Sequence, residues 1–227
     1  IHQGNLPKER GSVIYQRIMN DINTIGVTLH RISVGIDTGN ILYKKIKKID
    51  NKKHTISLVN QENMKLTVEI FQEFISDLIK RINIKEKAQK NNQSIYMPQF
   101  YTEINGAIDW SWTSEEIDRF IRAFGPPMPG AFTYYQEKRI SLLEAKTEKT
   151  GQIYHPYFFG RIVTIKDDNT IRIITKKHYL VVSKIKTQDY SGLPGDFIKM
   201  NSNAVFYTPL DVLEKAKTKF VSSLKMK

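Results

Sequence analysis

The chain has 227 residues, 40% hydrophobic and 26% charged, and a formal net charge of +12 at pH 7. That balance excludes a disordered chain, and the length suits one ordinary domain plus a smaller one. There is no cysteine, which excludes disulfides, a zinc–thiolate centre and a cysteine nucleophile, and no run approaches the roughly 20 apolar residues of a membrane-spanning helix.

In chain order, Leu6-Pro7 predicts a turn entering a short helix, with Ser12 as its cap and Val13, Ile14, Arg17 and Ile18 at helical spacing. Residues 26–31 and 41–49 are predicted strands, rich in β-branched side chains. The loop between them holds Gly35 and Gly39, whose missing Cβ atoms let backbone approach a flat ligand closely. Over residues 62–82, Met64, Val68, Phe71, Ile75, Leu78 and Ile82 recur every three to four positions, predicting an amphipathic helix whose stripe packs on the sheet. Residues 83–94 read NIKEKAQKNNQS and predict a polar linker. Thr113 and Glu116 form a capping box before a helix with Ile117, Phe120, Ile121 and Phe124 on one face, ended by Gly125 and prolines. Residues 161–165, 170–175 and 179–185 are short strand patterns, with a turn at Asp167-Asp168-Asn169, and predict a small β-domain. Thr208 caps a final helix with Pro209 in its first turn.

The chemistry sits at the start, IHQGNLPKERG followed by GVTLHRISVGIDTGN. His2 alone is an ordinary histidine and Asp37-Thr38-Gly39 alone an ordinary turn. Asp-Thr-Gly is also the aspartic-protease loop, but that chemistry needs two carboxylates sharing a proton, and this chain has one copy, followed by Asn40. The remaining histidines, His30, His54, His155 and His178, lack metal-ligand spacing, and His30 is expected to be structural. The combined order His-x-x-x-Leu-Pro-x-x-Arg-Gly, Gly-Val-Thr-Leu-His, Gly-Ile-Asp-Thr-Gly resembles the formyltransferases that use 10-formyltetrahydrofolate. A second, independent set continues the resemblance to about Leu143: Ile108-Asp109-Trp110, Ile121-Arg122-Ala123-Phe124 and Pro129-Gly130-Ala131-Phe132-Thr133.

The resemblance implies an α/β protein: the C-terminal half of a Rossmann-like formyltransferase domain with its linker over 1–94, then a small β-rich domain with a terminal helix over 95–227. It implies transfer of a formyl group from 10-formyltetrahydrofolate, the folate donor, to a primary amine. His2 would be general base or oxyanion partner, and Asp37 would orient and charge-stabilise it. Val34, Gly35 and Ile36 would line the pterin. The family's asparagine, two residues before the histidine, would lie off the end of this sequence, and so would the preceding half-domain. Such a chain is expected to be unstable, or to form a homodimer through an open sheet edge. The favoured acceptor is a nucleotide-linked amino sugar, contacted by Trp110, Tyr134, Tyr135 and Lys138. Methionyl-tRNA formyltransferase, acting on initiator tRNA, is the alternative, and a non-catalytic remnant acting as a binding module the third reading. The basic surface would attract phosphates or the polyglutamate tail of a folate; its densest cluster is Lys44, Lys45, Lys47, Lys48, Lys52 and Lys53. No secretory signal is visible at the start, and a cytoplasmic location with no membrane partner is expected.

Overall fold

The computed structural model describes residues 1–50, 54–201 and 203–220, which part into two units between Gln99 and Phe100. Lys52 and Lys53 of the basic cluster lie outside the described residues. No described helix is long and apolar enough to cross a membrane. The fold is mixed α/β.

The first unit runs β1 (Glu9–Gly11), α1 (Ile14–Met19), β2 (Thr24–His30), β3 (Ile41–Lys48), α2 (Ile56–Ile79) and β4 (Ile95–Met97). β2 and β3 pair antiparallel, while β1 and β4 pair parallel, Glu9 opposite Ile95. Ser12 does not cap α1; Val13 takes that position without a side-chain bond, and the Ser12 amide instead donates to the Met97 carbonyl, extending the β1–β4 pairing.

α2 corrects the predicted stripe. Thr55 caps it, accepting from the Leu58 amide, so it begins six residues before the predicted start. The face turned to β2 carries Ile56, Val59, Asn63, Leu66 and Ile70, all buried. Met64, Val68, Phe71, Ile75 and Leu78 are exposed, Met64 at 57% and Phe71 at 52%. The helix is apolar on two faces about 120° apart, and periodicity reports both without ranking them. Asn63 interrupts one face in sequence, yet that is the face the sheet covers.

Residues 83–94 are not a free linker. Ile41 and Lys87 exchange backbone hydrogen bonds of 2.8 and 2.9 Å, and Glu86 holds Arg31 and Asn40. The segment is stitched onto the start of β3.

The second unit begins with α3 (Thr102–Asn105) and α4 (Ser114–Phe124). A six-stranded antiparallel sheet follows: β5 (Ala131–Tyr135), β6 (Lys138–Glu148), β7 (Ile162–Ile165), β8 (Ile171–Ile174), β9 (Tyr179–Lys186) and β10 (Ser191–Gly192). The spatial order is β5-β6-β9-β8-β7, with β10 on the edge of β9. α5 (Pro194–Phe197) and α6 (Leu210–Thr218) complete it. The capping box forms as predicted, with Thr113 accepting from Glu116 N and the Glu116 carboxylate accepting from Thr113 N. Ile117, Phe120, Ile121 and Phe124 are buried, and α4 packs on β6. Thr208 does not cap α6: Pro209 is its N-cap, and the Thr208 hydroxyl donates instead to the Ile108 carbonyl at 2.6 Å. Asn105 Nδ2 donates to the carbonyls of Ala216 and Lys219, docking α6 on the unit.

Candidate active site

His2 is held by its own backbone, which exchanges two 2.8 Å hydrogen bonds with Thr28 of β2. Its Nε2 lies 2.7 Å from the Glu9 carbonyl. A carbonyl only accepts, so Nε2 carries the ring proton and Nδ1 keeps the lone pair in the neutral imidazole. Nδ1 lies 3.4 Å from Asp37 Oδ2. Gly4 makes room for this ring: a Cβ there would stand 2.0 Å from Nε2.

Asp37 is placed by the rest of the motif. Its Oδ2 accepts from the Gly11 amide at 2.9 Å. Gly11 has φ +79° and a Cβ on it would meet the Met97 carbonyl at 2.2 Å, so the Arg-Gly step tolerates only glycine. Asp37 itself has φ +53°, a left-handed conformation that aspartate enters more readily than most residues. Gln89 pins the loop, its Nε2 donating to the carbonyls of Asp37 (2.8 Å) and Gly39 (2.7 Å) while its Oε1 accepts from Arg10 Nη2 at 2.9 Å. Below, Glu9 pairs with the buried Arg17 guanidinium, and Glu9 Oε2 also accepts from the Asn5 amide.

Burial pushes the His2 pKa below the usual histidine value; the Asp37 carboxylate and the Glu9 carbonyl pull it up, and His30 and Arg17 push it further down. The net direction is down, so the ring is neutral near pH 7 with an available lone pair. A proton captured at Nδ1 would arrive beside a carboxylate. Such an arrangement can act chemically as a general base with an electrostatic partner.

Two contributors were missed. His30 points Nε2 at Asp37 Oδ1 from 3.6 Å, with Nδ1 donating to the Arg31 carbonyl, and its ring meets that of His2 edge-on. The available signal was alternation: Thr28 and His30 share one face of β2, and Thr28 is the residue that grips His2. Gln89 had no such signal, because its polar surroundings read as linker.

The other predicted residues are placed differently. Val34, Gly35 and Ile36 lie on the Asp37 loop, Val34 fully exposed at its tip. Trp110 and Tyr135, expected at the substrate, are buried in the second unit's core. Trp110 donates through Nε1 to Thr133 and stacks on Phe206; Tyr135 donates its hydroxyl to the Lys199 carbonyl. Neither ring offers a free face. Tyr134 is half-buried between Phe132 and Tyr207. Lys138 is exposed and lines a cavity of about 620 Å³ with Arg139, Lys186 and Tyr190. Of the basic cluster, Lys45 and Lys47 are tied to carboxylates of α2, at Glu69, Glu73 and Glu62. No group of three or more histidines and carboxylates able to hold a metal occurs among the described residues.

A family profile described as "Formyl transferase, C-terminal domain" matches residues 102–200. The methionyl-tRNA formyltransferase of Halothermothrix orenii is 32% identical over 143 residues, 63% of this chain and 44% of that protein. The chain is similar to formyltransferases in both comparisons. Among solved structures, a variant of HypX from Aquifex aeolicus shares the fold with a TM-score of 0.64 at 20% identity, covering 86% of this chain and 35% of that one. An N-formyltransferase from Helicobacter canadensis, in complex with folinic acid and dTDP-3-aminofucose, superposes with a TM-score of 0.57 at 25% identity, covering 78% of this chain and 62% of its own. The chain spans about half the length of the curated formyltransferases it matches.

Proposed function

We propose that the His2–Asp37 pair serves formyl transfer from 10-formyltetrahydrofolate to the primary amine of a nucleotide-linked amino sugar. The observation that carries this is the neutral His2 ring, with its Nδ1 lone pair set beside an Asp37 carboxylate that a glycine amide and a pinned loop hold in place. The residues fit a folate donor. Ile32 and Val34 are exposed apolar side chains on the strand-to-strand loop, open to a flat ring. The donor supplies the activated formyl group. His2 Nδ1 takes the proton that the amine must lose as its new C–N bond forms, and Asp37 stabilises the resulting imidazolium. The Glu9 carbonyl keeps the ring from turning. Gly11 and Gln89 prevent Asp37 from moving to another partner.

The amino-sugar acceptor is supported by the likeness to the Helicobacter canadensis enzyme, whose complex contains such a sugar. Likeness to the Halothermothrix orenii enzyme favours the second reading, in which the amine belongs to methionyl-tRNA. Turnover of the intact protein with 10-formyltetrahydrofolate decides. His2→Ala and Asp37→Ala should each lower turnover at least ~100-fold with donor affinity nearly unchanged; full activity in either removes the assignment. In competition at low and high salt, salt-sensitive formylation of charged tRNA with no turnover of amino sugars would select the second reading.

A further inference from the structure

A cavity of about 670 Å³ in the first unit is built almost entirely from lysine and aliphatic side chains. Lys8 comes from the turn after Leu6-Pro7, Lys44 from β3, and Lys85, Lys87 and Lys90 from the segment stitched along β3. Leu6, Pro7, Ile41, Leu42 and Ile46 contribute its apolar wall. No carboxylate, arginine or aromatic ring is among the lining residues.

Charge is sorted along residues 85–90 by what each side chain meets. Lys85, Lys87 and Lys90 line the cavity, while Glu86 turns away to Arg31 and Asn40, and Gln89 to the Asp37 loop. Lys44 is spent partly on structure, donating to the Leu6 carbonyl and Asn5 Oδ1 at 3.0 Å each. Burial lowers its pKa, the nearby Lys87 and Lys8 lower it further, and Glu9 opposes them only in part. Five like charges gathered around one hollow repel one another unless something anionic lies among them.

The lining discriminates between anions. Sites that hold phosphate ordinarily present arginine forks, backbone nests or helix N-termini, and sites that hold a nucleic-acid strand add aromatic platforms. None of the lining side chains of this cavity is an arginine or an aromatic ring. Lysine is a flexible point charge, suited to carboxylates spaced along a chain, and the aliphatic wall suits the methylenes between them.

We propose that this cavity binds the oligo-γ-glutamate tail of the folate donor. The inference rests on the donor assigned above, and it adds a site outside the His2–Asp37 pair.

The test uses the full chain and two probes, free penta-γ-glutamate and 10-formyltetrahydrofolate carrying one or five glutamyl residues. The Lys85→Glu/Lys87→Glu variant changes only exposed side chains, and its melting curve checks the fold. Lys138→Glu/Lys186→Glu, in the second unit, controls for net charge. Penta-γ-glutamate should bind in a salt-sensitive manner, at least ~10-fold more weakly to the first variant and equally to the second. The five-glutamyl donor should have a KM ~10-fold below the one-glutamyl donor, and the first variant should erase that difference. Absence of penta-γ-glutamate binding below ~1 mM at low salt overturns the inference. So does an equal loss in both variants, or tighter binding of an RNA oligonucleotide through the same lysines. Turnover indifferent to tail length would sink the tail site and leave formyl transfer standing. Lysine-dependent penta-γ-glutamate binding without turnover of either donor would uphold the site and sink formyl transfer.

Discussion

The two units are stabilised in opposite ways. The second buries Phe124, Phe132, Phe206, Ile117, Ile121, Ile140 and Leu142 between one helix and a continuous antiparallel sheet. The first has only two-stranded pieces, and around its candidate site the contacts are polar: the Glu9–Arg17 pair, the Gly11–Asp37 bond and the Gln89 clamp. It also leaves one apolar face of α2 exposed, with Val68 at 48% and Phe71 at 52%. An apolar core tolerates small losses at many points, whereas a polar network fails when one buried member loses its partner. The unit with the candidate site is therefore the more fragile.

The largest expected effect tests that fragility. Arg17→Met strips the partner from a nearly buried carboxylate and should cost the first unit about 3–5 kcal/mol. Both tryptophans, Trp110 and Trp112, belong to the second unit, so their fluorescence reports that unit alone. Hydrogen exchange over residues 1–50 should accelerate while the fluorescence transition stays in place. A concerted shift would show instead that the two units unfold together.

Gln89→Ala should follow at about 1–3 kcal/mol, because the carbonyls of Asp37 and Gly39 lose their donor. The sharper readout is catalytic: turnover should fall with donor affinity held, as expected of a positioning residue. In the second unit, Thr113→Ala removes the cap of α4 and should cost about 1 kcal/mol, read as an earlier tryptophan transition with unchanged exchange in residues 1–50.

The smallest effect is the acid response of the first unit. The folded His2 pKa lies below the 6.5 of a free histidine. Above that value the ring is neutral in folded and unfolded chains and contributes nothing. As pH falls below 6.5 the unfolded chain takes up a proton that the folded one refuses, so stability drains until the folded pKa is passed. His2→Gln should abolish this loss, measured by denaturant titration at pH 7.5 and pH 5.5. Asp37 pulls the His2 pKa upward; Asp37→Asn should therefore move any acid limb in kcat/KM to lower pH. An upward move would mean that the limb belongs to another group.

Several local signals were read correctly, while the Ser12 and Thr208 caps were not. The Thr113–Glu116 capping box, the glycine-rich loop before Asp37 and the β-branched strand cores all follow from backbone preference over a few residues. The order of His2, Gly11 and Asp37 was likewise legible as a motif. Tertiary structure decided what periodicity leaves degenerate. α2 offered two apolar faces, and only the position of β2 chose the one to bury. Trp110 and Tyr135 look alike as core or ligand rings in sequence; Phe206, Thr133 and Lys199, all distant in the chain, made them core. The polar stretch 83–94 carried no apolar pattern to betray that it is bound, since its attachment is made by backbone hydrogen bonds and by Gln89. Long-range hydrogen bonds leave no period in a sequence, and here they are what positions the candidate site.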